Sequence, residues 1–479
     1  MAQVHANLIG GRWVTGAAAA ENLNPSDTTD IVGVYALASA QQAREAVAAA
    51  EAAFTAWSVS TPQQRADVLD AVATEILARR DELGRLLARE EGKTLPEAIG
   101  EVVRAGHIFR YYAGEALRPG GELLASLRPG VGVEVTREPV GVVALITPWN
   151  FPVAIPAWKI APALAWGNTV VFKPSELVPG SAWALADILH RSGLPAGAFN
   201  LVNGSGPEVG AVLVDDPRVA AVSFTGSVAT GRAVVARAAA RGARAQAEMG
   251  GKNPLVVLDD ADLDVAVNVA LQGSYYSTGQ RCTASSRFIV TPGIRGRFTQ
   301  ALAQALRQLR VGHALAPDTQ IGPVVDDRQL TKDLDYVQLG RAEGARLLCG
   351  GARLQRDTPG YFLSPALFDD ARPDMRIACE EIFGPVGCIV PARDYDEALV
   401  LANATPFGLS AGLCTTSLRH AAHFKRHVQA GMVMVNVPTA GVDYHVPFGG
   451  RKASSHGPRE QGRHAMDFYT AVKTAYTAA

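Results

Sequence analysis

Between Val140 and Thr225 the chain alternates continuous apolar runs with helical stretches, and no other feature narrows its fold so far. The runs are Val140 to Ile146, Thr169 to Lys173, a short one near Phe199 to Val202, and Val219 to Thr225. Helical segments about Pro156 to Ala165, Ser181 to Ser192 and Val209 to Val214 separate them. A strand that is apolar on both faces must be covered on both, as in a parallel sheet wrapped by crossover helices. Ligands of such sheets bind beyond the carboxyl ends of the strands. A second unit of this kind starts near Gly251 with Pro254 to Leu258 and extends to about Val437. The expectation is an α/β protein with two doubly wound, Rossmann-like domains, and 479 residues exceed what one ordinary core holds.

Ahead of these units, a β-like entry around Leu8 to Val14 leads into helical blocks over Ala40 to Trp57, Pro62 to Glu91 and Leu95 to Leu117. Arg118-Pro119-Gly120-Gly121 reads as the stop of the last block. From Glu122 to Thr136 the pattern becomes strand-like. An exposed strand edge there invites pairing, with a capped edge hairpin as the other reading. Asp259-Asp260-Ala261-Asp262 reads as a helix cap, because it lacks the glycine and terminal glutamate of a calcium loop. No metal site is expected.

A net charge of -1, from 45 basic and 46 acidic side chains, creates no field to gather nucleic acid or an anionic membrane. No apolar window reaches the roughly 18 residues that span a bilayer, and Met1 to Trp13 lacks a secretory signal pattern. The five cysteines are odd in number and form no C-x-x-C pair, which fits a reducing cytoplasm better than a disulfide framework.

Cys282 stands in Ser277-Thr-Gly-Gln-Arg-Cys-Thr-Ala-Ser-Ser-Arg287, without apolar neighbours to pack against. It reads as a nucleophile, and adjacent Arg281 is expected to favour its thiolate. Glu248, just before the Gly250-Gly251 turn, reads as a base carried towards that thiol. Asn150, after Pro148 and Trp149, can aim an amide N–H at a developing oxyanion together with the backbone N–H of Cys282. Lys173 and Glu176 follow a strand and can address a ribose, the glutamate favouring a 2′-hydroxyl over a 2′-phosphate. Gly226 is read as permitting a tight turn and Ser227 as a phosphate donor, with Gly231 closing a G-x-x-x-x-G spacing at a helix start. Phe151, Ile155, Trp158 and Tyr276 read as walls of a substrate entry. Arg281 keeps two readings, a carboxylate clamp in that entry or a stabiliser of the thiolate.

These motifs, Pro148-Trp149-Asn150-Phe151-Pro152, Glu248-Met249-Gly250-Gly251-Lys252 and the Cys282 stretch, together resemble the NAD(P)-dependent aldehyde dehydrogenase superfamily over nearly the whole chain. The resemblance implies a cofactor domain over 1–121 and 141–250, a catalytic domain over 251–437, and an oligomerisation β-ribbon from 122–140 and 459–479. It implies a homodimer or homotetramer and NAD as cofactor, with NADP as the alternative. Ile146, Thr147, Pro148, Trp149, Ser175, Gly206, Phe224, Met249 and Gly250 are implied to line the cofactor site. Glu381 and Phe383 are implied to hold the nicotinamide ribose, and Thr283 to touch substrate. Lys159 matches a lysine that shares a proton path with a C-terminal glutamate in some members. Ala471 is taken to stand where that glutamate belongs, so another route for the proton is expected. Pro438 to Lys452 with Gly279 to Arg287 looks like the 2-oxoglutarate semialdehyde (2,5-dioxopentanoate) dehydrogenases. That likeness implies a small, carboxylated aldehyde, with succinate or glutarate semialdehyde and broad aliphatic aldehydes as alternatives. A catalytically idle binding protein on the same fold is a remote alternative.

Overall fold

Each apolar run of the first half becomes a buried strand, and the strands assemble in an order that leaves one gap in the connectivity. The computed structural model describes residues 3–16, 18–118 and 120–478, so Pro119 of the expected helix stop lies outside the described residues. The first sheet runs Ser455–His456, Arg244–Met249, Val219–Gly226, Val142–Ile146, Thr169–Lys173, Phe199–Leu201, Asn7–Ile9, Arg12–Val14. Its five central strands are parallel. Every residue of Val142–Ile146 and Thr169–Lys173 is buried, as strands covered on both faces require. From Val142–Ile146 the chain builds outwards to Phe199–Leu201, then returns to place Val219–Gly226 on the other side. The helices leaving these two neighbours therefore diverge, and a crevice opens at their carboxyl ends.

The second sheet runs Arg346–Cys349, Ala366–Asp369, Val386–Pro391, Arg287–Val290, Pro254–Val257, Ser410–Cys414, Met432–Val435, parallel except for its first pair. Met249 ends a strand of the first sheet and Pro254 begins one of the second. Four residues thus join the carboxyl end of one sheet to the amino end of the other. A ribbon of Glu122–Ala125, Val131–Pro139 and Thr470–Ala478 projects separately, the last two antiparallel from Thr470↔Pro139 to Ala478↔Val131. Leu123, Leu127, Val472 and Tyr476 on or beside it are exposed. Among the described residues no helix is long and apolar enough to cross a membrane.

Two local features depart from the sequence reading. The helical block expected over Pro62 to Glu91 is two helices, Pro62–Ala78 and Arg80–Glu91. Arg79 leaves helical geometry at φ −99° and ψ 15°, and its guanidinium bridges Glu75 on one helix and Glu82 on the other. A three-stranded sheet of Val4–His5, Asp27–Leu37 and Ala18–Asn24 was not anticipated. Thr28, Thr29, Ile31, Val32, Val34 and Tyr35 suit Asp27–Leu37 to a strand, whereas the alanines and asparagines of Ala18–Asn24 are poor strand formers that pair because their neighbour does.

Asn168 ties the ribbon's root to the first sheet. Its Oδ1 accepts from the Val140 and Gly141 amides at 2.8 and 3.1 Å, and its Nδ2 donates to the Ala163 and Tyr469 carbonyls at 3.2 and 2.9 Å. Asn168→Ala takes the side-chain partner from the Val140 and Gly141 amides and the Tyr469 carbonyl, and is expected to cost about 2–4 kcal/mol. A lowered thermal unfolding midpoint is the readout, and an unchanged midpoint would contradict this account.

Candidate active site

Two cavities meet at Cys282. One, of about 180 Å³, lies at the crevice of the first sheet and is lined by Pro148, Trp149, Asn150, Gly226, Ser227, Glu248, Met249, Gly250, Glu381 and Phe383, among others. The other, of about 200 Å³, opens on the opposite side between Phe151, Ile155, Trp158, Arg281, Thr283 and Phe448. Cys282, Ile155, Trp158 and Phe448 line both.

The nucleophile loop is held by backbone strain. Ser277, Thr278 and Gly279 have φ of 52°, 58° and 68°, a run of left-handed residues that side chains other than glycine disfavour. Outside contacts keep it there. Glu97 accepts from the Ser277 amide at 2.8 Å and hydroxyl at 2.9 Å, and the Val325 amide donates to Gln280 Oε1 at 3.0 Å. Asn253 Nδ2 donates to the Cys282 and Ala284 carbonyls at 2.7 and 3.0 Å. A β-carbon at Gly279 would collide with the Gly384 carbonyl, so glycine is required twice over.

Arg281 does not serve the thiolate as expected. Its terminal nitrogens are held by Glu97 at 3.1 Å, Ser277 Oγ at 2.7 Å and the Gln272 carbonyl at 3.1 Å, which neutralises its charge locally. Loss of hydration, reinforced by the charges of Glu381 and Glu248, pushes the Cys282 thiol up to about 12. The resting residue is a thiol that needs a base. Asn150 spends one amide proton on the Gln280 carbonyl at 3.0 Å and has a second to offer.

Glu248 follows at the end of Arg244–Met249 with its side chain buried. Oε2 accepts from Ser455 Oγ at 2.6 Å, while Oε1 has no partner among the described residues. Burial first, then the charge of Glu460, raises its pKa well above the usual carboxylate range. Glu460 overturns the reading of Ala471. It is ion-paired to buried Lys159, accepts from Trp158 Nε1 at 2.6 Å, and lies 3.3 Å from Ser223 Oγ. Lys159 also donates to Ser223 at 2.7 Å. Ala471 instead sits in the ribbon opposite Glu138. Gln461, at φ 60°, and Gly462 lie between Glu460 and the ribbon strand that holds Ala471.

The remaining expected cofactor residues gather at strand ends. Ile146, Lys173, Gly226 and Met249 each close a strand, and Ile146 pairs with Lys173 as Gly226 does with Met249. Thr147 is buried beside them. Lys173 Nζ donates to the Pro174 carbonyl at 2.7 Å and lies 3.8 Å from half-exposed Glu176, with Ser175 between. Gly206 is exposed at the start of a short helical turn. The glycines at 226 and 231 are there for room, not for turning: a β-carbon would meet Phe224 at 2.6 Å or Met249 Sδ at 2.5 Å. Ser227 caps helix Val228–Ala240, accepting from the Thr230 amide. Glu381 Oε1 accepts from the Gly251 amide at 2.9 Å, and Phe383 meets Trp149 edge to face with centroids 5.3 Å apart.

The chain matches the aldehyde dehydrogenase family over residues 13–475. It belongs to that family. It is 44% identical over 474 residues, 98% of this chain and 97% of the other, to the alpha-ketoglutaric semialdehyde dehydrogenase of Bacillus subtilis (strain 168). It is 39% identical over 469 residues, 97% and 98% of the two chains, to the 2,5-dioxopentanoate dehydrogenase of Saccharolobus solfataricus. A crystal structure of an NAD-dependent aldehyde dehydrogenase from Sinorhizobium meliloti superposes with a TM-score of 0.97 at 38% identity, covering 100% of this chain and 95% of that one.

Within this aldehyde dehydrogenase, Tyr276 is not a wall of the substrate cavity. It packs against the catalytic sheet's core with Tyr275 and Phe288, because the left-handed residues after it turn the chain away. Sequence reasoning passed over Arg104, Ala154 and Ala440 to Val442 on the substrate side, and Thr225, Gln329 and Lys332 on the other. Helical period on Leu95–Ala116 was the one signal that Arg104 shares a face with core residues.

Two pH effects follow for the aldehyde dehydrogenase. Below a pKa of about 12 the thiolate fraction of Cys282 grows tenfold per pH unit. Iodoacetamide inactivation of the ligand-free protein is therefore expected to accelerate through pH 9, and a plateau below pH 8 would refute the raised thiol. Since the charge of Glu460 raises Glu248, Glu460→Gln is expected to move the acidic limb of the kcat profile to lower pH. A limb moving to higher pH would contradict the coupling.

Proposed function

We propose that this protein oxidises 2-oxoglutarate semialdehyde to 2-oxoglutarate with NAD. The observation that carries the reading is Cys282 at the junction of two cavities, one sharing Glu248 with the strand ends of a dinucleotide-type sheet, the other sized for a small molecule. The Bacillus and Saccharolobus relatives support the choice of aldehyde. NAD fits what surrounds the first cavity. Gly226, Gly231 and Gly250 keep side chains out of its floor, and the N-terminus of Val228–Ala240 offers amides to a pyrophosphate. Glu176 suits a ribose hydroxyl and repels a 2′-phosphate, which leaves NADP the weaker partner. The cofactor part comprises 1–121 and 141–250, the catalytic part 251–437, and the ribbon of 122–140 and 459–479 pairs with further copies as a homodimer or homotetramer in the cytoplasm.

Glu248, through water or directly, takes the proton of the Cys282 thiol. The sulfur bonds to the aldehyde carbon, and the oxygen gains negative charge between the second Asn150 amide proton and the Cys282 backbone N–H. One such donor is worth about 3 kcal/mol. The nicotinamide supplies the hydride acceptor. Glu248 sheds the thiol's proton, takes one from the water that opens the thioester, and returns it to the departing Cys282 thiolate, releasing the acid and restoring the thiol. The Glu460 carboxylate, held by the Lys159 ammonium, is the next acceptor for the proton that Glu248 sheds. The free acid as product follows from Glu248, since a thioester without a base beside it waits for another thiol.

Glu248→Gln is expected to slow the first-turnover burst of NADH, because the thiol loses its base, and to lower steady-state turnover about 100-fold or more. Across 2-oxoglutarate semialdehyde, succinate semialdehyde and propanal, kcat/KM is expected to be highest for the first. Undiminished turnover in Glu248→Gln sinks the mechanism. A panel led by propanal sinks the substrate assignment.

A further inference from the structure

Arg104 is the charged group of the substrate cavity that has no counter-ion. It lies on helix Leu95–Ala116, lines the same cavity as Cys282, and is partly buried. Among the described residues no carboxylate comes within ion-pairing distance of it, and its Nε is buried with no hydrogen-bond partner. The guanidinium is oriented all the same. One terminal nitrogen donates to Gln461 Oε1 at 3.1 Å, and the carbon of the group sits 5.8 Å from the centre of the Trp158 ring. Gln461 is itself fully buried at φ 60°, with its Nε2 unpartnered, so a strained residue holds the arginine from behind.

The contrast with Arg281 in the same cavity is one of charge balance. Arg281 is paired to Glu97 on helix Leu95–Ala116 and hydrogen-bonded to Gln272 on helix Leu263–Ser274 and to Ser277 of the strained nucleophile loop. Its charge is already used. Burial lowers the pKa of Arg104, and Glu101, Asp443 and Cys282 restore only part of the balance from a distance. An arginine kept dry and unpaired at a cavity is costly unless an anion arrives. An arginine fork is matched to one anion in particular, a carboxylate.

We propose that Arg104 binds the carboxylate of the substrate and so selects aldehydes that carry one, with Gln461 positioning its guanidinium and Arg281 serving the nucleophile loop instead. This rests on the reading of the protein as a semialdehyde dehydrogenase and names the residue responsible for its substrate class. Walls of Phe151, Ile155, Trp158 and Val442 leave the rest of the cavity apolar, suited to a short carbon chain between the two polar ends.

The test uses the full-length enzyme with Arg104→Met, Arg104→Lys and Arg281→Met, measuring kcat/KM for 2-oxoglutarate semialdehyde and for propanal. In Arg104→Met the ratio of the two is expected to fall about 100-fold, the scale of a lost charge-assisted pair. Arg104→Lys is expected to recover much of it. Arg281→Met is expected to lower both substrates together and leave the ratio. Protection of Cys282 from iodoacetamide by 2-oxoglutarate gives a readout independent of turnover: wild type is protected and Arg104→Met is not. A wild-type enzyme indifferent to the carboxylate overturns the substrate reading and this assignment with it. A selective wild type whose Arg104→Met variant keeps both the ratio and the protection overturns the Arg104 assignment alone. Equal loss on propanal also overturns it, making Arg104 a support of the thiolate.

Discussion

The passage from Met249 to Pro254 is the constraint on which the site depends. Strand Arg244–Met249 belongs to one sheet and Pro254–Val257 to the other, so the chain has only Gly250, Gly251, Lys252 and Asn253 in which to cross. A connection this short locks the carboxyl end of the first sheet against the amino end of the second. Glu248 arrives from one side. Cys282 arrives from the other, on the loop that precedes Arg287–Val290, and Asn253 within the crossing donates to its carbonyl. A ligand in the first sheet's crevice and a nucleophile from the second are thereby placed on one cavity wall.

Buried charge decides how that cavity works. Lys159, Glu460 and Glu248 are all dry, and the cation is committed to Glu460, so Glu248 meets a neighbouring negative charge and a desolvated surround together. Both raise its proton affinity above that of an ordinary carboxylate, which strengthens it as a general base. A second buried network works mechanically. Lys93 Nζ donates to Glu101 at 2.6 Å and to the Asn150 carbonyl at 2.7 Å, while Glu101 accepts from the Val153 and Ala154 amides at 2.9 and 3.0 Å. The turn that carries Asn150 is thus clamped to helix Leu95–Ala116, the same helix that presents Arg104. Asn150 and Arg104 share one rigid support.

Much of this was legible in the residues. Strands at 142–146, 169–173 and 219–226 declared themselves because a strand buried on both faces can be apolar throughout, and few other structures tolerate that pattern. Cys282, Glu248 and Asn150 stood out because each polar group sits beside turn residues and away from any packing pattern. The partner of Lys159 was misread, since pairing across 301 positions leaves no local trace. Tyr276 was misread for a related reason: its identity suits a cavity wall, but the left-handed run that follows turns it into the core.

The alternation of apolar runs determined the fold class by itself, and the motifs around Asn150, Glu248 and Cys282 implied the chemistry and the family through their resemblance to aldehyde dehydrogenases. Patterns and motifs are properties of short-range order, which survive without knowing which distant segments touch. Only the tertiary structure decided the charge partners: Glu97 for Arg281, Glu460 for Lys159 and, among the described residues, none for Arg104. An ion pair depends on a few ångströms between side chains from remote segments, and the sequence records the charges but not their distances.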